Sequence, residues 1–205
     1  MSAIPFWARI VALALIAAVL SWWDFRKHGA QSTAIREYGF LFLTGVAGAI
    51  VGGANDALTS SLSPEYFTVG KELPPGVSAA VKYGMQVGFS GGAVGGAILL
   101  YFGRRKAKSP PIPFDYLSRR LWMPALGALL GGLASPFLAP AWDPFHLASQ
   151  LREVVPGNRI PQFLLVWRIH AGLYAGLIAG LAALLTLELR RRTGRPGRLG
   201  EPTPP

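Results

Sequence analysis

The sequence predicts an all-α membrane protein, a polytopic bundle of about five transmembrane helices. Three observations carry that expectation. Five apolar runs each approach the ~20 residues a helix needs to cross ~30 Å of hydrocarbon. Lysine and arginine crowd into three of the segments beside those runs. Glycines return at every fourth position in four of the five runs.

Composition agrees with this picture. With 51% hydrophobic and 15% charged residues in 205, the chain is too apolar for an average soluble domain. The 20 basic against 10 acidic residues would suit nucleic acid if they formed one patch. They sit instead in short stretches flanking the apolar runs, which points to anionic lipid, and nucleic acid is not an expected partner. Cysteine is absent, so disulfides and thiolate metal sites are excluded.

The first run, residues 4–23, has Arg9 as its one early charge and ends in Trp22-Trp23 without a small-x-small site. It reads as a retained helix with an interfacial tryptophan end rather than a cleaved leader. A polar connection, 24–37, leads to a second run at 38–54 and a third at 77–102. The loop 104–120 is basic, and Pro110, Pro111 and Pro113 stop a helix from continuing through it. A fourth run, 121–139, is interrupted at Ser135-Pro136, and a fifth spans 164–187. Residues 1–189 form one transmembrane domain in this reading, and the Gly- and Pro-rich basic tail, 190–205, is expected to be disordered.

Orientation follows from the basic residues. Arg26, Lys27 and Arg36, the cluster from Arg104 to Arg120, and the cluster from Arg190 to Arg198 fall on one side of a five-span chain. That side is read as the cytoplasm, with the C-terminus in it and the N-terminus outside a cytoplasmic membrane.

The runs also suggest an internal repeat. Gly88, Gly92 and Gly96 match Gly172, Gly176 and Gly180, 84 residues on. Gly48 and Gly52 match Gly127 and Gly131, 79 residues on, and Ser63-Pro64 matches Asp143-Pro144. The expectation is one N-terminal helix followed by two parallel hairpin units, 38–102 and 121–187, a repeat type known in transporters. Chance similarity among small residues is the competing reading. Glycines four apart let helix backbones approach closely, so the stripes are expected to pack helices within the bundle, in a homo-oligomer or against a membrane partner.

Several residues have chemistry to offer. Ser63-Pro64-Glu65-Tyr66 has the form of a helix start, with a serine cap, proline in the first turn and an acidic residue at the positive end. Asp143-Pro144 has the same form, so short interfacial helices are expected at 64–73 and 144–154. Glu65 is then a solvated first-turn carboxylate or an acidic site residue. Asn55 and Asp56, at the end of the second run, cap or turn the chain, or bind a cation or headgroup. His170 and Tyr174 share a helix face opposite the glycines, as Gln86 and Ser90 do in the third run. Arg168 and Lys82 lie close enough to the span ends to snorkel.

Asp56, Glu65, His146 and His170 fall on one predicted side, and a His–carboxylate set would suit zinc. No paired-histidine spacing supports it, so neither a metal nor a cofactor is expected. A Ser63–His170 nucleophile pair is weaker still, because Ser63 serves better as a cap. The glycines at 91–96 lie inside an apolar helix without a P-loop lysine.

The run Asn55-Asp56-x2-Thr59-x3-Ser63-Pro64-Glu65-Tyr66-Phe67-Thr68, with Gly70-Lys71 after it, resembles a group of uncharacterised bacterial inner-membrane proteins. His170-x3-Tyr174-x-Gly176 is similar to their last helix. The resemblance implies a bacterial inner-membrane location and marks Glu65, Tyr66 and His170 as positions of interest. It implies no activity.

The leading expectation is a non-catalytic binding, assembly or scaffold component with Asn55, Asp56, Glu65, Tyr66, His170 and Tyr174 as its candidate cluster and no catalytic residue. The rival is a small-solute or ion transporter enclosing Gln86, Ser90, His170 and Tyr174. An acidic residue within a span would strengthen the rival, and none lies deep in the runs as drawn. An outer-face enzyme using Asp56, Glu65 and His170 ranks third.

Overall fold

The computed structural model describes residues 5–104, 114–138, 143 and 145–193. Among these, every regular element is helical. In chain order they are α1 (Phe6–His28), α2 (Ala34–Leu62), α3 (Pro64–Thr68), α4 (Val77–Arg104), α5 (Phe114–Ser118), α6 (Trp122–Leu138), α7 (Leu147–Gln150) and α8 (Ile160–Thr193). Short 3-10 turns lie at Gly29–Gln31, Leu151–Glu153 and Gly157–Arg159. Four helices, namely α1, α2, α4 and α8, are long and apolar enough to cross a membrane. Large apolar side chains such as Ile50, Leu58, Val94, Leu133 and Ile178 stand exposed on the outside, the surface expected of a multi-pass protein whose solvent is lipid.

Several boundaries differ from those drawn on the sequence. α2 does not end at residue 54 but continues to Leu62, so Asn55 and Asp56 neither cap nor turn the chain. Their polarity ends the apolar run without ending the helix, because both find partners inside the bundle. The true stop is Pro64, which disfavours helical geometry at the residue before it. Ser63 is accordingly extended (φ −144°, ψ 94°), and its hydroxyl accepts a hydrogen bond from the Tyr66 amide at 3.4 Å, capping α3. That helix is only five residues long. The second loop forms α7 and a 3-10 turn instead of one continuous helix, with the Asp143 carboxylate accepting from the Leu147 and Ala148 amides at 2.6 and 3.0 Å. α8 starts at Ile160 and runs to Thr193, so 190–193, expected to be disordered, are helical. Residues 194–205 and 105–113 lie outside the described residues.

α2 and α4 run antiparallel along a glycine seam. A methyl group on Gly48 would strike the carbonyl oxygen of Gly88, one on Gly52 that of Gly84, and one on Gly92 that of Thr44. Gly96 lies against the Thr44 side chain. α6 and α8 repeat the arrangement, with Gly127 against Gly176, Gly131 against Gly172, and Gly180 against the backbone at Pro124. With no side chains between them, the backbones of each pair touch.

Two apolar cores join the helix pairs at opposite ends. One gathers Tyr66, Phe67, Ala80, Leu151, Phe163 and Val166 beneath α3 and the loop before α8. The other gathers Phe40, Leu99, Leu117 and Leu184 around α5. Between the cores the pairs separate, leaving a cleft. α1 stands apart; it meets the rest through Phe6 against Phe89, rings 6.0 Å apart, and through a turn in which Asp24 accepts from Ser32 Oγ at 2.6 Å.

Candidate functional site

The cleft between the pairs has a volume of about 180 Å³. It runs from Lys71, Tyr83 and His170 past the glycines of α4 to Leu99, Leu121 and Leu181. Its walls are apolar apart from Thr44 beside Gly96 and the α3 end, where the other polar side chains converge.

Asp56 occupies the next seam position after Gly48 and Gly52, and Gly84 opposite makes room for it: a methyl on Gly84 would lie 2.7 Å from Asp56 Cγ. Asp56 is 4% exposed and His170 is 6% exposed. Asp56 Oδ1 lies 2.9 Å from His170 Nε2 across the boundary between the pairs. Asn55 Nδ2 donates to the same oxygen at 3.0 Å and lies 3.1 Å from His170 Nε2. His170 Nδ1 lies 2.9 Å from the Val166 carbonyl oxygen, one turn back in α8. Tyr66 stacks on the imidazole, centroids 4.8 Å apart at 29°, and Phe67 meets it edge-on at 6.0 Å.

Burial pushes the Tyr66 hydroxyl above its ordinary value, and the nearby Tyr174, Asp56 and Tyr83 add to that. The hydroxyl therefore keeps its proton at neutral pH. Lys71 rests its ammonium over the Tyr66 and Tyr83 rings, 5.4 and 5.9 Å from their centroids, a cation–π placement. Tyr174 lines the cleft one turn beyond His170.

Glu65 takes another role. Arg159, in the turn before α8, donates to it through Nε at 2.8 Å and Nη2 at 3.3 Å. The Arg159 guanidinium holds the Glu65 carboxyl below its usual range. Glu65 thus ties α3 to the second helix pair, and is neither a free first-turn carboxylate nor a member of the buried cluster. Ser63 Oγ also donates to Glu65, at 3.1 Å, so its hydroxyl is committed to local structure.

Gln86 and Ser90 do not join the site. Both are exposed on α4, and Ser90 donates to the Gln86 carbonyl at 2.9 Å. His146 is exposed as well. Among the described residues no group of three or more His, Asp or Glu is placed to hold a metal. Both ring nitrogens of His170 are already engaged.

Sequence reasoning missed Lys71, Tyr83 and Gly84 here, and Arg159 above. A signal was present: the spacing of four that links Gly48 to Gly52 continues to Asp56, which places the carboxylate on the seam. It also missed Glu188 at the other end of α8. That residue is 6% exposed, and its Oε1 lies 3.6 Å from Arg120 Nη1. The chain matches no family model, no curated protein and no solved structure, and its function must be argued from this geometry.

Proposed function

We propose that the protein is a non-catalytic membrane component that binds a small amphiphilic ligand in the cleft between its helix pairs. Asp56, Asn55 and His170 form the polar end of that site, and Lys71, Tyr83 and Tyr174 border it. One observation carries the reading: a buried carboxylate and imidazole bridge the two pairs at the end of an otherwise apolar cleft. Ionisable groups within apolar helices are costly and mark function. Helix packing does not require this pair, because α6 and α8 pack equally closely with Ser135 at the matching seam position. Native mass spectrometry of protein extracted gently from its membrane tests the proposal. A bound small-molecule mass is expected in the wild type and in Leu58→Ala, outside the cleft, and is expected to disappear in Asp56→Asn. Wild-type protein without any adduct would overturn the reading.

Transport is the second reading, and the continuation of α2 past Asp56 favours it. The carboxylate lies within a span-length helix and at the boundary between two similar units, where transporters place coupling sites. Solute flux into proteoliposomes should collapse in Asp56→Asn; flux indifferent to both Asp56→Asn and His170→Gln excludes transport.

The same proposal includes the finer architecture. The seams relate Gly48 to Gly127 and Gly88 to Gly176, which moves the register of the second repeated helix by one turn from the match read in the sequence. α6, at 17 residues, rises about 25 Å and serves as the fifth span, at the short end of the crossing range. The basic segments then face the cytoplasm of a bacterial inner membrane and the N-terminus lies outside. A reporter fused after Pro205 should be active only on the cytoplasmic side. The seam glycines face each other within one chain, so a homo-oligomer or partner subunit would dock on another face.

A further inference from the structure

We infer that Asp56 and His170 hold one proton in common, and that this proton fastens the two helix pairs together over the cleft. Both ring nitrogens face oxygen. Nδ1 is 2.9 Å from the Val166 carbonyl, and Nε2 is 2.9 Å from Asp56 Oδ1. A neutral imidazole carries a single N–H, so it can satisfy only one of these contacts. The carbonyl cannot donate and therefore draws the ring proton to Nδ1. Nε2 is then a bare lone pair against a carboxylate oxygen, unless a second proton lies between them.

That second proton resolves the conflict wherever it sits. On the ring it makes an imidazolium–carboxylate pair; on Asp56 it makes a carboxylic acid donating to a neutral ring. The two forms have the same proton count, and both leave the pair without net charge, as its burial demands.

Asn55 serves the other state. Its amide has two N–H groups, one on Oδ1 at 3.0 Å and the other within 3.1 Å of Nε2. When the proton leaves, Asn55 can serve the bare nitrogen, but an anion and a lone pair remain face to face and must part. Asp56 belongs to α2 and His170 to α8, so their parting loosens one helix pair from the other. The groups facing this contact are Asn55 from α2, Tyr66 from α3, Tyr83 from α4, Tyr174 from α8 and Lys71 from the loop after α3. Lys71 is the one lysine or arginine among the residues that line the cleft. It is therefore the counter-charge available to Asp56 once the proton has gone. The inference stands whether or not a ligand occupies the cleft.

Nitrogen NMR of isotope-labelled histidine, with the full chain in nanodiscs at about pH 7, reads the proton directly. The chain has three histidines, and His28→Gln and His146→Gln assign the two exposed ones. For His170 we expect either both nitrogens protonated, or Nδ1 alone protonated together with a protonated-carboxyl infrared band that Asp56→Asn removes. A neutral ring beside an ionised Asp56 overturns the inference, and the wild-type spectrum decides this even if the variant fails to fold. The fastening is read separately. The chain lacks cysteine, so a Val87→Cys variant places a single thiol in the cleft. Its maleimide labelling, normalised to Arg152→Cys in the exposed loop before α8, should rise several-fold as the pH is raised and the shared proton is removed. A ratio that does not change with pH sinks the idea that this proton closes the cleft.

Discussion

In α2 and α4 the seam runs Thr44, Gly48 and Gly52 against Gly84, Gly88 and Gly92, and its next position is Asp56. In α6 and α8 it runs Gly127 and Gly131 against Gly172 and Gly176, and its next position is Ser135. Asp56 crosses to His170 on the other pair. Ser135 stays within its own pair, with its hydroxyl 2.8 Å from the Arg168 carbonyl oxygen and 3.2 Å from that of Gly132. The Gly132 carbonyl is the one that Pro136, lacking an N–H, cannot serve. So one seam ends in a residue that mends its own helix, and the other ends in one that reaches outside. The glycines supply contact in both; the residue after them decides whether the pair is merely packed or also coupled.

The largest expected effect tests the likeness. Gly48→Leu and Gly131→Leu each drive a side chain into an opposing backbone carbonyl, which cannot move aside. Each should cost about 3 kcal/mol or more, read as loss of folded protein in a thermal scan. Gly91→Ala, with open space around its added carbon, should leave the melting temperature unchanged or raise it slightly, since alanine favours the helix. Tolerance of either leucine would break the equivalence of the two seams.

Asp56→Ser converts the first seam into the likeness of the second. It strands His170 at the cleft, and its expected cost is about 2 kcal/mol, between the ~0.6 of an average intramembrane hydrogen bond and the ~3–5 of a broken buried ion pair. Ser135→Ala should cost only about 0.6 kcal/mol. If the order of these two were reversed in denaturation of the reconstituted protein, Asp56 would be the packing residue and Ser135 the tie.

The smallest effect concerns the Glu65–Arg159 bridge, which is partly open to solvent and adds little. Because the folded-state carboxyl titrates below its usual range, its contribution is present above the ordinary carboxylate value of ~4.3. It is lost as pH falls through the lower folded value. The melting difference between wild type and Glu65→Gln should therefore be small at neutral pH and vanish in acid. A difference that grows on acidification contradicts the assigned partner.

The helices were legible in the sequence because apolar length and basic flanks act locally, although α6 runs on through Ser135-Pro136, where an interruption was expected. The start of α4 at Val77 and the cap at Ser63 need no tertiary information. The site was only half legible. Asp56 was visible as a polar residue just past one apolar run and His170 as one inside another, but a run drawn to stop at Ala54 hid that the helix carries Asp56 onward. The length of α2 depends on partners 114 positions away. Tyr83 and Gly84 carry no local mark, and they enter the site through the antiparallel register alone. Glu65 misled for the opposite reason: its local chemistry describes a helix start, and Arg159 comes from the far half of the chain.

The backbone-to-backbone seams also set how the molecule yields to force. Side chains between helices can change rotamer and absorb strain; carbonyls locked in a helical ladder cannot. Each helix pair therefore behaves as a stiff plate, and compliance is concentrated at the joint between plates. A tilt of one plate at the Glu65–Arg159 rim would then shift the contact between Arg120 and Glu188 at the opposite rim, an expectation that spin labels at the two rims can check.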